Sequence, residues 1–204
     1  MMAQGGHNRH SIRLKEYDYS RPGFYFVTIC IKNKVCVLGK IIEEINPADG
    51  VKIILSDLGK IVKNVWLSIP QYYKIVELDE FVIMPNHIHG IIAINENDTD
   101  IGAIHENNIG AGLAPAQLIK PGTTARVAPT LGNVIGSFKS RCTNEWLKYI
   151  EQNNIDEIGK FWQRNYYERI IRNEKELNKI RNYIINNSLR WYDDPENPYK
   201  NSKK

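Results

Sequence analysis

Two short apolar runs, Phe81-Val82-Ile83 and Ile91-Ile92-Ala93-Ile94, flank the stretch Met84-Pro85-Asn86-His87-Ile88-His89-Gly90. A Pro-Asn pair between such runs marks a turn joining two strands, so the segment reads as a hairpin whose second arm opens with the histidines. Strand side chains alternate faces, which points His87 and His89 the same way and lets their imidazoles share one metal ion. A lone His-x-His is more often structural than catalytic. Its meaning depends on what distant residues bring to the same place.

The neighbouring sequence supplies a sheet and helices to cover it. Phe24 to Ile31 is aromatic and β-branched and reads as a central strand ending at the Lys32-Asn33-Lys34 turn; Val35 to Ile45 reads as a second strand or extended arm, interrupted at Gly39, before a turn at Asn46 to Gly50. Ser56-Asp57 offers a helix N-cap, and Leu58, Ile61, Val62, Val65 and Trp66 recur at helical spacing until Pro70. Tyr72 to Leu78 then precedes a strand from Phe81 to Met84. A second helical stripe runs through Leu131, Val134, Ile135, Phe138, Cys142 and Trp146, with Lys139, Arg141 and Lys148 interspersed. Beyond a polar linker, Glu151 to Gly159, the segment Phe161 to Arg172 mixes strand-forming residues with arginines. Asn173 caps a final helix whose stripe is Leu177, Ile180 and Ile184.

Strands and helices in this order predict an α+β fold, an antiparallel sheet with helices packed on it, in a single domain over residues 1–204. Three segments stand apart. Residues 1–23 form a basic, aromatic arm containing Arg13, suited to a phosphate backbone or to solvent. From Asn95 to about Thr130 the chain turns to Asn, Gly, Ala, Pro and Thr with no periodicity, a low-complexity insertion unable to bury enough apolar area to order itself. The tail 191–204 reads as an extended strap.

Charge and cysteines narrow the function classes. A net charge of +4 and a pI near 8.8 permit a nucleic-acid partner. Cys30, Cys36 and Cys142 are odd in number and lack C-x-x-C spacing, which indicates neither a disulfide framework nor a zinc ribbon. No apolar run reaches membrane-spanning length and no leader-like segment opens the sequence, so a cytoplasmic protein is expected.

On the last helix Tyr183 and Asn187 are four residues apart and share one face, placing a phenol beside an amide oxygen. If that helix packs beside the hairpin, Asn187 completes a metal site with His87 and His89 while Tyr183 stands over the bound group. Two imidazoles and an amide oxygen leave coordination positions open, as a catalytic ion requires. A histidine-triad nucleotide hydrolase is disfavoured, because no third alternating histidine follows His89.

Six motifs in order now carry a resemblance. They are Tyr17 to Gly23 running into Tyr25 to Ile29, Trp66 to Pro70, Met84 to Gly90, Ser137 to Ser140, Phe161 to Tyr167, and Tyr183 to Asn187. Together they resemble the REP-associated tyrosine transposases, a branch of the single-tyrosine HUH transposases. The resemblance covers the chain outside the insertion.

It implies a ferredoxin-like fold with the histidine pair on a central strand, Tyr183 as nucleophile on a C-terminal helix, and His87, His89 and Asn187 as ligands of Mg²⁺ or Mn²⁺. Ser188 stands where relatives commonly carry proline. It further implies cleavage and rejoining of single-stranded DNA beside hairpin-forming palindromes through a 5′-phosphotyrosine, by a nucleoid-associated monomer or homodimer. A domesticated hairpin binder without turnover is the alternative. Arg164, Arg169, Arg172, Lys139, Arg141 and Arg13 are the phosphate-contact candidates, and Tyr166 or Trp162 offers a ring to an unpaired base.

Overall fold

All eight residues of one strand, His87–Ile94, are buried, which demands packed structure on both faces of its sheet. A computed structural model supplies it for residues 17–43, 51–96, 129–157 and 159–200. The elements in order are β1 (Gly23–Cys30), β2 (Gly39–Glu43), β3 (Val51–Leu55), α1 (Asp57–Leu67), α2 (Ile69–Tyr72), β4 (Val76–Ile83), β5 (His87–Ile94), α3 (Leu131–Gln152), β6 (Tyr167–Ile171) and α4 (Glu174–Ile185). Single 3₁₀ segments lie at Lys32–Lys34 and Ser188–Asp193.

The main sheet has the order β4-β5-β1-β6, and every pair is antiparallel. With α1 between β1 and β4 and α3 between β5 and β6, this is the βαββαβ order of a ferredoxin-like fold. The expected α+β class is therefore the observed one. β5 and β1 are the two inner strands, so the histidines begin an inner strand and pair with the end of β1, Cys30 opposite His87 and Thr28 opposite His89.

Alternation divides β5 between two cores. Ile88, Ile92 and Ile94 face α1 and α3, joining Tyr25, Val27 and Ile29 of β1 and the Trp66–Phe138 edge contact at 5.3 Å between centroids. Ile91, on the face shared with His87 and His89, packs against Leu177, Ile180 and Ile184 of α4 and Ile171 of β6. Local capping places the helices. Ser56 Oγ accepts from Gly59 N, Thr130 and Asn133 form a capping box, and Asn173 accepts from Glu176 N, with Glu174 and Glu176 complementing the helix dipole.

Several elements differ from the sequence reading. β2 begins at Gly39 rather than being interrupted there. β3, a stretch to which the sequence reading gives no element, is only five residues long and gains its partner from β2. β4 begins at Val76, because a bulge between Leu78 and Phe81 accommodates the charged Asp79-Glu80 that breaks the apolar run. Pro70 does not end helical structure but sits in the first turn of α2, where its missing N–H costs nothing. The tail is not extended at its start: Ser188–Asp193 coils as 3₁₀ and buries Trp191. The turn at Asn46 to Gly50, the arm through Glu16 and residues 97–128 of the insertion lie outside the described residues.

Gly90 follows the histidines for a packing reason. A Cβ there would overlap Cζ2 of Trp66 and lie 2.8 Å from its Cη2, and Trp66 is fully buried. Gly90→Ala is expected to cost about 1–3 kcal/mol, the usual penalty for overpacking a rigid core, read as a lowered midpoint in urea denaturation.

Candidate active site

His87 and His89 are buried at the start of β5, their Nε2 atoms 3.1 Å apart. Each ring is oriented from behind. Asn86 donates its amide to the carbonyls of Lys34 and Glu196, at 2.9 and 2.7 Å, which leaves its Oδ1 to accept from Nδ1 of His87 at 2.9 Å. The proton on His87 is thereby held at Nδ1 and the Nε2 lone pair faces the site. Nδ1 of His89 is 2.9 Å from Thr28 Oγ1, a hydroxyl able to accept from it and so free the other lone pair. Burial pushes both imidazoles down to about 3; the Lys34 charge adds to this for His87, and His87 itself for His89. Both rings are neutral at physiological pH, the state in which histidine binds metal.

Helix α4 brings in the phenol. Tyr183 Oη lies 3.3 Å from Nε2 of His89, and the Tyr183 ring contacts both His89 and Phe26 edge-on, at centroid distances of 5.2 and 6.1 Å. The side chain is 37% exposed. Burial raises its pKa above the ordinary tyrosine value, Asp194 adds to the rise, and the Asn187 amide opposes it. What aims α4 is a charged clamp: Arg181 Nε donates to Asp79 Oδ1 at 2.9 Å and Nη2 to Oδ2 at 2.5 Å, tying the helix to the bulge of β4. Bidentate Arg–carboxylate pairs fix direction as well as distance.

Asn187 stands just beyond α4 in helical conformation, so the four-residue spacing from Tyr183 is preserved. The residue is buried, and its Oδ1 has no hydrogen-bond partner. A buried amide oxygen without a donor is costly unless a cation satisfies it. The structure adds a residue that sequence reasoning missed. Asp194 Oδ2 is 3.8 Å from His87 Nε2, and the ligand atoms of His87, His89 and Asp194 lie within 4.8 Å of one another. Its Oδ1 accepts from Glu196 N in the Asp-Pro-Glu turn, so one oxygen builds the turn while the other faces the histidines. Only the turn composition of Asp193 to Pro198 signalled it, and that said nothing of where the turn would land.

Two imidazole lone pairs and the Asp194 carboxylate form a donor set that could hold a divalent cation. All of these groups, and Tyr183, come from one chain.

The candidate DNA-contact residues scatter. Arg164 and Arg172 are exposed. Arg169 pairs with Glu176. Lys139 donates to the carbonyls of Gln163, Arg164 and Asn165, so its ammonium tethers that loop, and burial lowers its pKa to about 8. Arg141 lies over the Tyr72 ring, 3.4 Å from the centroid, among α1–α3 residues away from the histidines. Tyr166 is half-buried with the Lys139 ammonium 5.7 Å from its ring. Arg13 lies outside the described residues.

No protein-family model matches the chain. A protein of Haemophilus influenzae described as uncharacterized is 44% identical over 190 residues, covering 93% of each chain. A solved REP-associated tyrosine transposase bound to a REP hairpin superposes with a TM-score of 0.53 at 15% identity, over 90% of this chain and 81% of that one. The chain belongs to the family of the Haemophilus protein and has the fold of a REP-associated tyrosine transposase. At such identity the likeness speaks for architecture alone.

The buried histidines make stability depend on pH. Their folded pKa values lie below the unfolded value near 6.5, so unfolded chains take up protons first and stability is lost as pH falls from about 6.5 toward 3. In metal-free buffer the urea midpoint should fall more steeply from pH 7 to 5 for the native chain than for His87→Gln/His89→Gln, which lacks both titrating rings.

Proposed function

We propose that this protein is a metal-dependent transposase that cleaves and rejoins single-stranded DNA beside hairpin-forming palindromes, with Tyr183 as nucleophile. One observation carries the reading: the Tyr183 hydroxyl lies 3.3 Å from Nε2 of His89, which is 3.1 Å from Nε2 of His87, and the Asn187 amide meets the same hydroxyl. The solved structure of similar fold, bound to a REP hairpin, supports hairpin DNA as the partner class.

His87, His89 and Asn187 would hold the cation, with Asp194 available as a fourth donor. A divalent ion there supplies positive charge to a phosphodiester oxygen. Imidazole donors favour Mn²⁺ over Mg²⁺ in binding strength, while either serves the chemistry. Asn86 and Thr28 keep the two rings oriented throughout. Tyr183 contributes its oxygen: an O–P bond forms, the bond to the 3′ oxygen breaks, and a 5′-phosphotyrosine and a 3′-hydroxyl result. The covalent link conserves the phosphoester for rejoining. Burial and Asp194 raise the phenol's pKa, so Tyr183 rests protonated, and the proton it loses on attack balances the one gained by the departing 3′ oxygen.

Incubation with a labelled single-stranded hairpin oligonucleotide and Mn²⁺ should give a covalent protein–DNA adduct on a denaturing gel, absent in Tyr183→Phe and with EDTA. An undiminished adduct in Tyr183→Phe would refute the assignment. Binding without any adduct would identify a hairpin binder that has lost turnover.

The donor set is testable without DNA. Asn187→Ala and Asp194→Asn should each weaken Mn²⁺ binding in calorimetry by about 10- to 100-fold, the range seen when a group supporting a metal site is removed.

A further inference from the structure

Beyond Tyr183 and Asn187 the chain carries one more polar group along the same line. Asn187 keeps helical dihedrals, and Ser188–Asp193 then coils as 3₁₀ helix, in which side chains three residues apart stand one above the other. Arg190 N donates to Asn187 O at 3.0 Å, which puts Arg190 directly past Asn187. Tyr183, Asn187 and Arg190, separated by steps of four and then three, run along one side of the helical segment.

The backbone bearing Arg190 is held against the histidines. Asn187 is buried before it and Trp191 after it, with the Trp191 ring 6.2 Å from that of His87. The arginine itself is exposed, and no carboxylate among the described residues forms an ion pair with it. Its charge nevertheless reaches the nucleophile. Burial and Asp194 push the Tyr183 pKa up, whereas the Asn187 amide and the Arg190 charge pull it down. An exposed arginine signifies little by itself. Beside a hydroxyl that attacks a phosphodiester it has one fitting ligand, the phosphoryl group in transit, whose oxygens match the planar fork of a guanidinium.

We infer that Arg190 is a catalytic residue that donates to a non-bridging oxygen of the scissile phosphate as Tyr183 attacks it. The inference rests on the DNA-cleaving reading of the histidine–tyrosine site and adds a group that meets the phosphate from the helix side. The Tyr183 oxygen forms its bond to phosphorus and the bond to the 3′ oxygen breaks, the phenol losing a proton and the 3′ oxygen gaining one. Arg190 keeps its own protons throughout. Its fixed charge offsets the negative charge that gathers on the phosphate oxygens between bond making and bond breaking.

The test follows the rate of covalent adduct formation by the full chain with Mn²⁺ and a labelled single-stranded hairpin oligonucleotide. Arg190→Ala should form adduct about 100-fold or more slowly than native protein, the loss seen when one donor to a developing oxyanion is removed. Its Mn²⁺ affinity in calorimetry should be unchanged, and its affinity for the uncleaved oligonucleotide in EDTA should stay within about fivefold, as for one exposed charge contact. Guanidinium chloride at millimolar concentration, against sodium chloride as control, should speed adduct formation by Arg190→Ala and not by native protein. A variant as fast as native protein overturns the inference. So does a rate loss accompanied by weaker Mn²⁺ binding, the mark of a merely structural arginine, and so does a slow variant that guanidinium ion does not speed. Failure of the underlying reading looks different: native protein that forms no adduct, or Tyr183→Phe that still forms it, removes the nucleophile and Arg190 together. A Tyr183-dependent adduct that Arg190→Ala leaves untouched removes Arg190 alone.

Discussion

Everything at the candidate site depends on two uncharged imidazoles being buried side by side with their lone pairs facing each other. Water would not tolerate the arrangement as a stable fixture, because the rings would rotate and titrate. Here the sheet forbids rotation: β5 is covered on both faces, and Asn86 and Thr28 hold the far nitrogens. Desolvation forbids protonation, and it does so more strongly than the neighbouring charges do. Two acceptors 3.1 Å apart need a proton or a cation between them. The metal-free protein can supply the proton by letting Thr28 donate and His89 change tautomer, so the site is stable without an ion yet ready to exchange a proton for one.

Three segments meet around that pair, and each is fixed by its own polar device. The Arg181–Asp79 clamp sets α4, so that Tyr183 reaches His89. The Asn86 amide ties the hairpin turn to the tail through Glu196 O. An Asp-Pro turn then points one oxygen of Asp194 inward, and Trp191 stacks 6.2 Å from His87. The tail thus closes the side of the site that the sheet and α4 leave open.

The sequence made the backbone of this arrangement readable because its signals are local. Alternation around His87 and His89, the caps at Ser56 and Asn173 and the helical stripes through Trp66 and Phe138 each report a period imposed by one element. The four-residue step from Tyr183 to Asn187 survives past the end of α4 because Asn187 keeps helical dihedrals. What escaped reading is set by partners elsewhere. β3 becomes a strand only beside β2, and β4 extends past Asp79-Glu80 only because a bulge turns Asp79 toward Arg181. Lys139 looks like any cation on a helix surface until the loop of Gln163 to Asn165 folds its carbonyls around it. Asp194 is the clearest instance: its turn chemistry is local, but its role exists only because that turn docks on a strand a hundred residues earlier.

The two cores of the fold divide labour in a way that bears on the chemistry. The larger one, between the sheet and α1 and α3, includes Trp66 packed so close to β5 that residue 90 must be glycine, which fixes the strand bearing the metal donors. The smaller one, a cluster of five buried side chains that includes Ile91, holds α4. A helix held by so little apolar area draws much of its placement from directional contacts, and the Arg181 clamp, only part-buried, is one that solvent can weaken. The two imidazoles therefore sit on a strand buried along its whole length and the phenol on a less constrained helix. A metal site gains from rigidity, since ligand geometry sets affinity. In the reaction proposed here, a nucleophile that stays attached to a DNA end through cleavage and rejoining would gain from an anchor that tolerates small displacement, which α4 would provide.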